Sequence, residues 1–187
     1  MLQFIHSTLL LSLYNIFFSA EKPTRFTKPS EQILVSTLDK KKVTVFIADD
    51  DEDDRDIFME VITDVVPHAD VTVAKNGIEL MGLLSAATAI PDVIFLDLNM
   101  PLMNGQECLD KIRANGKLKN IPIIIYSTSN SREHIDETFK KGATFYFPKP
   151  TSFKDLKQMI SKLFKLNWSG FKQPDKDKFI LSVNHFH

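Results

Sequence analysis

The sequence predicts an α/β fold, a doubly wound five-stranded parallel sheet with strand order 2-1-3-4-5. Three observations lead there. Strand-like apolar runs alternate with helix-period segments five times between residues 42 and 167, the pattern of repeated βα units. Val93-Ile94-Phe95-Leu96 is β-branched and aromatic without alternation, as a strand covered on both faces is. Five βα units joined by right-handed crossovers form few compact sheets, and 2-1-3-4-5 is the commonest small one.

Each element has its own justification. Val43 to Ala48 is the first strand, and it runs into the acids Asp49 to Asp54. Ile57, Phe58, Val61, Ile62, Val65 and Val66 recur at three and four residues, an amphipathic helix that stops before Pro67. Val71 to Ala74 is the second strand, and Asn76-Gly77 turns the chain into a helix carrying Ile78, Leu80, Met81, Leu83 and Leu84. After the Val93 to Leu96 strand, a third helix carries Cys108, Leu109 and Ile112, closed by Asn115-Gly116 in the usual C-terminal fashion. Ile121 to Tyr126 is the fourth strand, with its proline tolerated at the leading end. A polar loop, Ser127 to Ser131, leads to a helix of Ile135, Thr138 and Phe139 that Gly142 caps. Thr144 to Phe147 is the fifth strand, Lys149-Pro150 the turn after it, and Phe153 to Phe164 the last helix.

The chain divides accordingly into residues 1–41, a leader and linker; 42–167, the folded domain; and 168–187, a C-terminal tail. The leader's apolar run has no lysine or arginine before Lys22 and is broken by Gln3, His6, Ser7 and Asn15. It meets neither the export pattern nor the length of a spanning helix, so a disordered segment is the better reading. In the tail, Phe179-Ile180-Leu181 is too apolar to be indifferent to water. It is expected to dock as an arm on its own domain or on a second copy, along an edge strand or the face of the last two helices.

Composition excludes some functions. Lysine and arginine (23) nearly balance aspartate and glutamate (24), which leaves no global field to attract nucleic acid. The single cysteine, Cys108, rules out an internal disulfide or a cysteine-based zinc cluster and suits a reducing, cytoplasmic compartment. The histidines have no metal-ligand spacing, and His68 and His134 are expected in solvent.

In the 2-1-3-4-5 order strand one lies beside strand three, so Asp49 and Asp50 face Asp97 across the switch point where such folds bind ligands. Ser127 and Lys149 leave strands four and five on the same edge. Asp49-Asp50, Asp97, Ser127 and Lys149-Pro150, with Asp97-Leu98-Asn99-Met100-Pro101 and Asn104-Gly105, resemble the receiver domain of two-component response regulators, especially the single-domain chemotaxis type. The resemblance covers about Lys42 to Leu166. It implies the flavodoxin-like receiver fold and a phosphoacceptor switch that catalyses only its own phosphorylation and dephosphorylation. Asp97 would take the phosphoryl group from a sensor histidine kinase or a histidine phosphotransfer protein. Output would pass to a downstream protein target, with no nucleic acid or membrane partner and with a homodimer as one form.

The residue chemistry agrees. A carboxylate that attacks a phosphoryl group must overcome repulsion between anions, and a divalent cation relieves it. Mg2+ takes oxygen ligands near-octahedrally, which Asp50, Asp97, the Asn99 backbone carbonyl and, through water, Asp49 supply. Lys149 offers a fixed positive charge and Ser127 a hydroxyl donor for the phosphoryl oxygens. Asp53 and Asp54 read as ordinary helix N-terminal acids. The resemblance further implies a cis Lys149-Pro150 bond and makes Tyr146 a rotating aromatic that follows Ser127. Two other readings compete: a degenerate receiver that only binds protein, and an aspartate-nucleophile phosphohydrolase of the haloacid dehalogenase type. The latter wants a second aspartate two residues beyond Asp97, where this chain has Asn99.

Overall fold

The computed structural model describes residues 42–166 and 172–182. In chain order the elements are β1 (Val43–Ala48), α1 (Glu52–Val65), β2 (Ala69–Ala74), α2 (Gly77–Ala86), β3 (Val93–Leu96), α3 (Gly105–Ala114), β4 (Ile123–Ser127), α4 (Arg132–Lys140), β5 (Phe145–Pro148) and α5 (Phe153–Leu163). A short 3-10 turn, Lys176–Lys178, follows in the tail. The five strands are parallel and ordered β2-β1-β3-β4-β5, as the sequence predicts.

Both faces of the sheet are covered, which is why the central strands carry no polar side. Phe46, Ile94, Leu96, Ile123 and Ile125 pack with Leu80 and Leu84 of α2 and Leu109 and Ile112 of α3. Val45, Ile47, Phe95 and Ile124 pack on the other face with Phe58 and Ile62 of α1 and Met159, Ile160 and Leu163 of α5. Phe58 and Phe95 meet edge to face at 4.7 Å, a geometry aromatic pairs favour.

Local details shift some boundaries. β2 begins at Ala69 and β4 at Ile123; Pro122 lies just outside β4, where its carbonyl accepts from the Ile94 N–H at 2.9 Å. The Asn115-Gly116 closure of α3 does not use a left-handed glycine, since Gly142, at φ 84°, is the only glycine with positive φ among the described residues. Asn115 is itself the C-cap, and its side-chain oxygen accepts from the Lys117 and Leu118 N–H groups, turning the chain without φ > 0. Lys149-Pro150 is not cis; the described residues contain no cis peptide bond.

The tail docks on its own domain. Ile180 bridges Tyr146 in parallel, extending the edge of β5, while Phe179 and Leu181 are buried. Trp168, His185 and His187, and the leader 1–41, lie outside the described residues.

Gly105 marks a close approach. A Cβ there would stand 2.1 Å from the Asp97 carbonyl oxygen, so no side chain fits between the start of α3 and the loop after β3. Gly82, inside α2, has no heavy atom within 4 Å of such a Cβ. Gly105→Ala should therefore lower stability by about 1–3 kcal/mol through backbone displacement, and Gly82→Ala should raise it by about 0.4–1 kcal/mol. Urea unfolding midpoints that move in the same direction for both would show that the packing around Gly105 is misread.

Candidate functional site

The sheet's carboxyl edge presents the predicted residues because the ladder continues one residue beyond the strands. The Asp49 N–H donates to the Ala74 carbonyl at 3.1 Å, the Asp97 N–H to Ala48 at 2.9 Å, and the Lys149 N–H to Ser127 at 2.9 Å. Asp49, Asp97 and Lys149 are thus anchored through hydrogen-bonded backbone at their strand ends.

Asp49 is fully buried and Asp97 is 5% exposed, whereas Asp50 is exposed. One carboxylate oxygen from each lies within 4.8 Å of the others. Lys149 enters this group from β5. Its Nζ stands 2.7 Å from Asp49 Oδ2, 2.7 Å from Asp54 Oδ2 and 3.5 Å from Asp97 Oδ2, and 5.4 Å above the Tyr126 ring. Asp97 Oδ1 accepts from the Leu98 N–H at 2.6 Å, which leaves Oδ2 towards the lysine. Asp49 Oδ1 accepts from the Asp51 N–H, and Arg55 Nη1 donates to the Asp49 carbonyl at 3.0 Å.

The electrostatics follow from this crowding. Burial pushes Asp49 up to about 6, against the pull of Lys149, with the Asp97 charge adding to the rise. Burial alone would lower Lys149, but the Asp49 and Asp54 carboxylates paired with its ammonium and the charge of Asp97 raise it on balance. The ammonium is therefore held charged in the midst of the acids.

The open cleft above these groups is lined by Asp50, Asp54, Asp97, Asn99, Thr128 and Lys149, among others. Ser127 reaches the edge as predicted, yet its side chain is wholly buried and Thr128 faces the cleft instead. Ser127 Oγ accepts from the Ser129 N–H at 3.4 Å. Tyr146 is fully buried and donates its hydroxyl proton to the Ser129 carbonyl at 2.7 Å.

Two residues, Asp54 and His134, differ from their sequence readings. Asp51 is the N-cap of α1, accepting from the Asp53 and Asp54 N–H groups. Asp54 is more than a helix N-terminal acid, because it turns back to share Lys149. His134 is half-buried rather than in solvent, with Nδ1 2.8 Å from Ser129 Oγ.

The chain after Asp97 is unusual in one respect. Leu102 has φ 68°, and the Met103 N–H donates to the Pro101 carbonyl at 2.7 Å, a tight γ-turn with a non-glycine residue in the left-handed region.

The family model described as "Response regulator receiver domain" matches residues 45–161. The chain belongs to this family. It is 32% identical over 116 residues to a chemotaxis protein CheY homolog of Campylobacter jejuni, covering 62% of this chain and 88% of that protein. Response regulator Rcp1 of Synechocystis is 27% identical over 124 residues, covering 64% and 84%. Among solved structures, the phosphorylated cyanobacterial phytochrome response regulator RcpA superposes with a TM-score of 0.63 at 26% identity, over 67% of this chain and 93% of that one. Membership accounts for the fold and places the chain in two-component signalling. Among the described residues, no helix is long and apolar enough to cross a membrane.

The raised Asp49 has a direct consequence for the metal-free receiver. A carboxyl whose folded pKa exceeds its unfolded value contributes stability that is full below the unfolded pKa, near 3.8, and lost as pH rises through about 6. The effect is at most roughly 3 kcal/mol. With chelator present, urea midpoints should fall as pH rises from about 4 to 7, and Asp49→Asn should flatten the profile. A wild-type profile already flat there would mean that Lys149 fully neutralises Asp49.

Proposed function

We propose that the protein is a phosphoacceptor signalling switch in which Asp97 receives a phosphoryl group from a histidine kinase or a histidine phosphotransfer protein. The observation that carries this reading is the Asp97 carboxylate itself. It stands at a strand end, with a lysine ammonium 3.5 Å away and two further carboxylates within 4.8 Å. The phosphorylated state of the RcpA relative supports it.

In this reading an Asp97 oxygen attacks phosphorus as the P–N bond to the donor's imidazole breaks. The bonding electron pair leaves on that imidazole, and the product is an acyl phosphate. Three acids clustered beside a site for more anionic charge fit a hard divalent cation, and the oxygen donor set suits Mg2+. Asp50 and Asp97, the Asn99 carbonyl and Asp49 would hold it, and it would supply positive charge against the repulsion between anions. Lys149 leaves its pairs with Asp49 and Asp54 for the phosphoryl oxygens, and Ser127 donates its hydroxyl to them once the loop moves. Output then passes to a downstream protein. A cytoplasmic setting follows from such donors, and so does the absence of a separate enzymatic activity.

Acetyl phosphate with Mg2+ should add one phosphoryl group per chain, read by mass. Asp97→Asn should add none while melting as a folded protein, because a carboxamide is isosteric but not nucleophilic. Lys149→Ala should slow labelling by roughly 10²- to 10³-fold, the range for loss of one charge-stabilising donor. Continuous phosphate release would instead indicate a phosphohydrolase, and no labelling of wild type a protein-binding receiver without phosphotransfer.

Asn99 lines the cleft and Ser129 lies in the loop after β4, both small and uncharged. Neither blocks water nor orients it with a carboxylate, so an intermediate phosphoaspartate lifetime is expected. Asn99→Arg should lengthen it; equal decay rates would remove this position from the mechanism.

A further inference from the structure

β5 is the edge strand, and a segment of the chain's own tail covers part of that edge. The Tyr146 N–H donates to the Phe179 carbonyl at 2.9 Å, and the Leu181 N–H donates to the Tyr146 carbonyl at 2.7 Å. Phe179 closes the 3-10 turn in helical rather than extended backbone, so Phe179 and Leu181 do not fall on one side as strand residues would. They straddle the edge instead. Phe179 joins the core on the α2 to α4 face, 5.1 Å from the Phe139 ring, and Leu181 joins the core on the α1 and α5 face. Ile180 between them points outwards, 39% exposed.

The rest of the strap is polar. Gln173 donates to the Phe139 and Ala143 carbonyls, and Lys176 pairs with Asp136 at 2.8 Å. Among the described residues the strap is held by an isolated bridge and two apolar anchors, the makings of a unit that opens locally without unfolding the domain.

Tyr146 connects this strap to the phosphorylation site. Its backbone holds the tail on both sides, its ring lies 6.3 Å from that of Phe179, and its hydroxyl grips the Ser129 carbonyl. Ser129 in turn donates to Ser127 Oγ. The tail is docked while Lys149 is tied to Asp49 and Asp54, the arrangement before phosphorylation.

We infer that residues 172–182 are the resident occupant of a strand-addition site on β5, and that phosphorylation of Asp97 releases them through Tyr146. The site's ligand in trans is then an extended peptide with an aromatic and an aliphatic side chain two residues apart, entered by a basic turn that meets Asp136. The resident segment shows that chemistry directly, since an edge strand gives affinity through backbone bonds and specificity through the flanking pockets. The site stands on the tail's contacts, and only its release rests on the phosphoacceptor reading of Asp97. When Ser127 moves to the phosphoryl group it draws Ser129 away from the Tyr146 hydroxyl and loosens the residue on which the strap is built; by reciprocity, the docked strap opposes that movement.

Two measurements on the full chain test this. A fluorescent peptide of residues 172–182 is titrated into wild type and into Phe179→Ser/Leu181→Ser, whose fold is checked by circular dichroism. The variant, with its own strap undocked, should bind the peptide at least tenfold more tightly than wild type, and a peptide with the same two substitutions should not bind. A folded variant that binds no better than wild type overturns the site. A wild-type dimer in sedimentation that the variant loses overturns occupancy within one chain and makes a second copy the occupant.

The second measurement needs no variant of the tail. Hydrogen exchange at the Tyr146 and Leu181 amides should quicken at least tenfold on treatment with acetyl phosphate and Mg2+, and not in Asp97→Asn. Unchanged exchange in protein shown by mass to be phosphorylated overturns the release. Absence of any mass increase instead defeats the phosphoacceptor reading, and leaves the peptide titration to decide the site.

Discussion

Everything at the sheet's carboxyl edge depends on one ammonium among four carboxylates. Asp49 and Asp97 are carried out of water by the strands that end in them, and unpaired burial of such charges costs several kcal/mol each. Lys149 offsets that cost by standing between Asp49, Asp54 and Asp97. The offset is incomplete, since Asp49 still rises to about 6. Around its one ammonium the edge therefore carries an excess of carboxylates.

Rigid and soft parts of the site are built differently. Asp49 and Asp97 sit where β1 pairs with both neighbours, Ala48 lying opposite Ala74 and Leu96, and Gly105 lets α3 press against the Asp97 carbonyl. These acids cannot shift without moving the sheet. Ser127 belongs to a strand end, but beyond it the loop is held by side-chain bonds, Tyr146 to Ser129 and Ser129 to His134. Such bonds exchange for one another at little cost, so the fold fixes the buried acids and leaves the hydroxyl-bearing loop free to respond.

That division also governs what the sequence disclosed. The placement of Asp49, Asp50, Asp97, Ser127 and Lys149 at one sheet edge was legible because strand ends are legible: apolar runs stop at them, and the 2-1-3-4-5 order sets those ends side by side. Asp54 was not, because in a run of acids at a helix start one side chain's long-range partner leaves no mark distinct from the helix dipole's preference. His134 was missed for a related reason, as its partner is a loop serine whose position depends on tertiary packing. Asn115-Gly116 looked like a glycine cap, yet the asparagine side chain supplied the turn by itself. The tail's apolar character was plain, but not that a helical Phe179 would set its anchors on opposite faces of one edge.

The two sheet edges show how that last feature bears on function. Open edges invite pairing with other chains and are commonly blunted by charge or by cover. At β2 the means is charge: Asp70 is exposed and paired to Lys42 at 2.8 Å. At β5 the strand is apolar throughout, Phe145, Tyr146 and Phe147 serving the cores on both faces, so charge has no place and a cover is needed. Among the described residues that cover bridges β5 at Tyr146, the residue whose hydroxyl also bonds the loop after β4, so protection of the edge and the state of that loop are joined in one side chain.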